Sequence, residues 1–251
     1  MSQTQQEKAQ LLLQQGLHYK DASEYEAAIT SFNKALEIQP DFYEAWLEKG
    51  IILAWDLHYY EEAVTSFKAV IKCKPDDYFA WHQLGQVELE GLAELEASLI
   101  SFNKALEFKP DDYDTWWDRS FVLYQLGRHE EALASYAKTL EIKPDSPIAW
   151  DEKGFLLGDM GRYEEALVCF DKALEFKPDS SMFWQDKGCF LRKMGRYEEA
   201  LTCFDKALEL EPDNSIAWEE KGFLLGDMGR YDEALACFDK ALEFEADNNS
   251  A

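Results

Sequence analysis

One interval governs this chain. Pro144, Pro178 and Pro212 stand 34 residues apart, and so do Trp116, Trp150, Trp184 and Trp218. Gly127, Gly161, Gly195 and Gly229 keep the same step. Upstream, Pro40, Pro75 and Pro110 are spaced by 35, as are Trp46, Trp81 and Trp116. Self-similarity at such a period marks an array of small units, none able to bury its apolar face alone. The phase places units at 9–42, 43–77, 78–112, 113–146, 147–180, 181–214 and 215–248, with a polar lead at 1–8 and a tail at 249–251.

Each unit reads as two helices. In 147–180, Trp150, Lys153, Gly154 and Leu157 follow helical spacing along a first helix. Met160-Gly161-Arg162 breaks it, with Gly161 free to take the positive φ of a helix end. Tyr163, Ala166, Leu167, Phe170, Ala173 and Leu174 then form a second stripe. Pro178 ends that helix, because it disfavours helical backbone in the residue before it. The repeated Trp, Ala and Phe positions are expected in the core. Gly154, Ala166 and Ala173 are expected where the two helices approach closely.

The pattern of Trp150, Gly154, Ala166, Phe170, Ala173 and Pro178 resembles the tetratricopeptide repeat family, whose signature is W-x2-L-G-x2-Y, A-x3-F, A and P. The other units repeat it in phase, with Leu12 where the first would have Trp. The A-W-x-x-K-G and F-D-K-A-L-E phrasing looks like a prokaryotic variant. The resemblance implies an all-α fold, a right-handed superhelical solenoid of seven helix-turn-helix units whose first helices line a concave groove. Two departures carry expectations. Lys49, Arg119, Lys153, Lys187 and Lys221 replace the family's Leu, so their stems should pack while their charges reach neighbouring acids. Units 43–77 and 78–112 carry an extra residue near Trp55–Tyr59 and Gly91–Leu95, which should shift the turn between their helices.

Charge narrows the function. Acidic residues number 50 against 25 basic ones, a net charge of −25. Nucleic acid and anionic membrane surfaces need clustered Lys and Arg, so both are disfavoured, and a net basic protein partner is favoured. No apolar run approaches membrane-spanning length. Cys73, Cys169, Cys189, Cys203 and Cys237 are odd in number and lack paired spacing, as in free thiols of a reducing, cytoplasmic setting. Cys169, Cys203 and Cys237 recur at one place per unit and read as packing residues. No metal-ligand spacing occurs, and no cofactor is expected. His18, His58, His82 and His129 fall in four units at different places, so no catalytic arrangement is suggested and no enzyme is expected.

In the family, groove-facing residues stand one, five and eight after the repeated Trp. Carried onto this chain, that rule gives Trp117, Phe121 and Tyr124, flanked by Asp114 and Asp118. It gives Asp151 and Phe155 with Asp159 beside them, and Glu219 and Phe223 with Asp227. Arg192 supplies a basic spot between. Trp117, Phe121 and Tyr124 are expected to form the hot spot; the alternative is that neighbouring units pack over them as core. The family's carboxylate clamp is absent, since its places hold Leu13, Leu17, Glu48, Phe79 and Gln83. The expected function is therefore a non-enzymatic scaffold or adaptor that binds a peptide or protein segment in its groove. The alternative is a structural solenoid stacking end to end, a homo-oligomer formed through the uncapped final helix with Leu235, Phe238 and Leu242. Ala246 replaces the helix-stopping Pro there, so that helix should run on.

Overall fold

A computed structural model describes residues 3–248, with side chains as far as Glu245. Among these residues there are fourteen α-helices and no strand. By internal contacts they form two compact units that divide between Ile142 and Lys143. The first unit pairs α1 (Gln3–Asp21) with α2 (Tyr25–Ile38), α3 (Tyr43–Ile51) with α4 (Tyr60–Cys73), α5 (Tyr78–Gln86) with α6 (Leu95–Phe108), and α7 (Tyr113–Gln125) with α8 (His129–Ile142). The second pairs α9 (Pro147–Asp159) with α10 (Tyr163–Phe176), α11 (Ser181–Lys193) with α12 (Tyr197–Leu210), and α13 (Ser215–Asp227) with α14 (Tyr231–Asn248).

The Phe and Ala repeats form the cores. In the first unit Phe32, Phe67 and Phe102 are fully buried, and in the second Phe170 and Phe204 are. Each fully buried Phe contributes roughly 2–3 kcal/mol of transfer free energy. Glycine on the first helix makes room for these rings: a methyl on Gly154 would stand 3.0 Å from the Phe170 ring. The repeated Trp residues depart from the core expectation and are only half-buried. Their indole N–H explains why. Trp46, Trp81 and Trp116 donate to the carbonyls of Pro40, Pro75 and Pro110 at 2.9, 2.9 and 2.8 Å. Trp150, Trp184 and Trp218 do the same to Pro144, Pro178 and Pro212. A ring held at the loop by its polar edge cannot also sink into the interior. Trp and Pro recur together because each Trp clasps the loop its Pro begins.

Of the basic residues that replace Leu, Lys187 and Lys221 reach acids as expected, whereas Lys49 and Arg119 reach the amide oxygens of Asn33 and Asn103. The Lys49 ammonium lies 5.0 Å from the centroid of Trp46 and donates to Asn33 Oδ1 at 2.8 Å. Lys187 and Lys221 reach Asp171 and Asp205, each at 2.6 Å. The stem covers the indole while the head ties a first helix to the second helix before it.

The extra residue of 43–77 and 78–112 does not shift the turn. It is absorbed inside the first helix as a π-helical turn, Ile52–Asp56 after α3 and Val87–Gly91 after α5. Leu57 N and Leu92 N accordingly donate five residues back, to Ile52 O and Val87 O at 3.0 and 3.1 Å. The turn itself stays constant, with a left-handed residue two before each second helix. Gly161 fills that place at φ 74°, but Ser23, His58 and Ala93 fill it at 59°, 58° and 54°. A side chain in that region costs roughly 1 kcal/mol. The final helix does run on, with 18 residues against 14 in α10.

Candidate functional site

In the first unit α5 and α7 bound a cleft of about 420 Å³. Phe79, His82, Gln83 and Gln86 line it from α5, and Asp114, Trp117 and Asp118 from α7. Because Trp116 is fixed at the loop, the next residue turns by about 100° around the helix, and Trp117 meets the cleft. Asp112 starts α7 by accepting from Thr115 N at 3.2 Å and from Thr115 Oγ1 at 2.6 Å.

The floor is a continuous chain of polar contacts. Trp55 Nε1, in the first π-helical turn, donates to Gln83 Oε1 at 2.8 Å. Gln83 Nε2 donates to Gln86 Oε1 at 2.8 Å, and Gln86 Nε2 to Asp118 Oδ2 at 3.3 Å. The same carboxylate oxygen lies 2.9 Å from His82 Nε2. Such a network holds its members in place because each polar group would be costly to leave unpaired. Lys109 is the ammonium among the lining residues, and it is engaged. It donates to Asp112 Oδ1 at 2.6 Å and sits 4.4 Å from the Tyr78 ring centroid. Burial alone would raise the Asp112 carboxyl, but hydrogen bonds from Lys109 and Thr115 outweigh it and hold the group low. Glu90, in the second π-helical turn, is shifted the other way, by partial burial first and the charge of Asp118 second. The excess charge around this cleft is negative.

Of the residues the sequence singled out, Trp117, Asp114 and Asp118 meet here. Phe121 is exposed further along α7, and Tyr124 lies outside the cleft with its ring centroid 5.7 Å from that of His129. Sequence reasoning missed Phe79, His82 and Gln86. The rule of one and five after the Trp, applied to Trp81, would have found the last two.

In the second unit Asp151 departs from a solvent-facing groove acid: it is 5 % exposed. Phe190 of α11 seats over Gly158 of α9, where an added methyl would stand 2.4 Å from the ring. Glu219, the equivalent residue on α13, is exposed, and so are Asp159 and Asp227. Phe155 and Phe223 lie edge-on to Phe170 and Phe238, at 5.2 and 5.3 Å. Arg192 is committed within the unit, with nitrogens 3.3 Å from Glu220 Oε2 and 3.7 Å from Asp227 Oδ2.

Tetratricopeptide repeat models match residues 13–78, 148–180, 182–214 and 203–236, and a TPR repeat model matches 121–161. The chain belongs to the tetratricopeptide repeat family. Solved structures agree with the fold. A tetratricopeptide repeat protein from Parabacteroides merdae is 18 % identical, with a TM-score of 0.73 over 95 % of this chain and 93 % of that one. The MamA protein is 24 % identical, with a TM-score of 0.65 over 68 % and 93 % of the two chains. YrrB, described as a TPR protein with an unusual peptide-binding site, is 22 % identical, with a TM-score of 0.62 over 74 % and 95 %. No curated protein matches the sequence significantly. Tetratricopeptide repeats commonly mediate protein–protein interaction and are generally not enzymes. Among the described residues, no helix is long and apolar enough to cross a membrane.

Proposed function

We propose that the protein is a non-enzymatic scaffold that holds a net basic peptide segment of another protein, with the α5–α7 cleft as its seat in the first unit. The observation that carries this reading is the cleft lining. Phe79 and Trp117 offer aromatic faces to a guest, while Asp114 and Asp118 stand where the ammonium of Lys109 is already engaged. Aromatic anchors dominate binding energy at interfaces, and a Lys or Arg of the guest can stack on them while facing carboxylates. The peptide-binding site named for YrrB lends support by analogy of fold. Free cysteines fit a reducing compartment such as the cytoplasm.

The test is selection of a random peptide library against the full chain. Enrichment of Lys- and Arg-containing sequences that Trp117→Ala abolishes is the expected result. No enrichment, or enrichment of acidic sequences, would overturn the reading. A second reading, self-association, is favoured by one observation: on α14, Leu235 and Leu242 are 61 % and 64 % exposed. Light scattering at high concentration decides it, since a strict monomer excludes it.

A further inference from the structure

Among the described residues of the second unit, two acids are left without a partner. Asp151 on α9 is almost wholly buried, its Oδ1 has no hydrogen-bond partner, and no ion pair reaches it. Asp186 on α11 is half-buried and likewise lacks a hydrogen bond or counter-ion. The nearby cations are engaged elsewhere. Lys187 is tied to Asp171, Lys153 lies over Trp150, and Arg192 faces Glu220 and Asp227. A buried carboxylate without a donor is expensive, and two such groups close together raise each other's cost. Apolar surface stands beside them. Phe155 lies one turn after Asp151, and Met182 one turn before Asp186; both are exposed.

We propose that Asp151 and Asp186 form a receptor for one cationic side chain of a basic protein segment, an arginine or a lysine, whose stem lies along Phe155 and Met182. Both acids accept hydrogen bonds when ionised, and a guanidinium or ammonium brings several donors to that place. A divalent metal is the weaker candidate, because among the described residues no group of three or more His, Cys, Asp or Glu side chains is placed to hold one. The proposal rests on the scaffold reading but concerns a stretch of chain separate from the α5–α7 cleft.

Proton release makes it testable. Burial, the charge of Asp186 and the charge of Glu152 beside it push the Asp151 carboxyl up to about 8, and burial pushes Asp186 up to about 6. At pH 7 Asp151 therefore carries a proton that an arriving cation must expel. The probes are acetylated, amidated Gly-Arg-Gly and Gly-Lys-Gly, with the citrulline peptide as the neutral control. Calorimetric titration of the full chain at pH 7, in two buffers of different ionisation enthalpy, should give close to one proton released per complex for Arg or Lys. Citrulline should release none, and the tighter of the two cations identifies the head group. Affinity should rise with pH up to about 8. Asp151→Asn keeps the shape and mimics the protonated acid, so it should fold, lose the proton release and flatten the pH dependence. Absence of proton release, or its persistence in Asp151→Asn, would overturn the proposal. Binding of the Arg or Lys peptide without proton release would remove this receptor while leaving the scaffold reading in place.

Discussion

His82 Nε2 stands 2.9 Å from Asp118 Oδ2, and that contact joins α5 to α7 across the floor of the cleft. Asp118 therefore does two things, holding the floor and supplying negative charge. Asp118→Asn keeps an acceptor oxygen and removes the charge. We expect it to weaken a library-selected basic peptide several-fold and to flatten the fall in affinity with added salt, which screens charges over about 8–10 Å. Affinity and salt slope identical to the unsubstituted chain would count against an electrostatic role.

Trp150→Phe tests the loop clasp. The indole Nε1 donates to Pro144 O at 2.8 Å, and Phe keeps an aromatic body without that donor. A loss of about 1 kcal/mol is expected, the usual net worth of such a bond. Thermal melting reads it, and an unchanged midpoint would show the bond to be energetically idle.

Gly161 and Gly154 separate backbone strain from crowding. Nothing lies within 4 Å of a methyl placed on Gly161, but its φ is 74°. Gly161→Ala should therefore cost about 1 kcal/mol through the backbone alone. Gly154→Leu forces its side chain against the Phe170 ring and should cost more, roughly 1–3 kcal/mol or beyond. If urea titration ranks the two in the opposite order, close helix packing at Gly154 is not what the glycine supplies.

The buried acids give stability a pH signature. The folded-state value of Asp151 is raised from 3.8 to about 8, so between these limits the folded chain holds more protons than the unfolded one. Stability contributed by this group is full below about 4 and falls as pH rises to about 8. Asp186, raised to about 6, acts in the same direction. Between pH 5 and 8 the melting temperature of Asp151→Asn should change less than that of the unsubstituted chain, and Asn should be the more stable at pH 8. Parallel curves would show that Asp151 ionises freely.

Much of this was legible in the sequence because it is written in local spacing. Two helices per unit, the left-handed Gly161, the buried Phe170 and the Lys187 stem over Trp184 all follow from residue types at fixed separations. The π-helical turns were not, since an extra residue between Trp46 and Tyr60 has no marked position until the helix must keep both ends packed. Nor was the burial of Asp151. Asp151 and Glu219 occupy one repeat position, yet the former is 5 % exposed and the latter is open to solvent. What covers a residue is decided by the next pair of helices. The cleft was half legible: Trp117, Asp114 and Asp118 were found from their own unit, His82 and Gln86 lay within reach of the same rule applied to Trp81, and that these two sets face each other shows only once α5 lies beside α7.

The α5–α7 cleft as a peptide seat is tested most directly by Trp117→Ala, with peptide affinity and melting temperature measured on the same preparation. A loss of about 2 kcal/mol or more in binding a selected basic peptide is expected, with the melting temperature within a few degrees of the unsubstituted chain. Tyr124→Ala, outside the cleft, should leave that affinity nearly unchanged. A melting temperature lowered by many degrees, with affinity intact in the folded fraction, would make Trp117 a packing residue and rule out the cleft as the peptide seat.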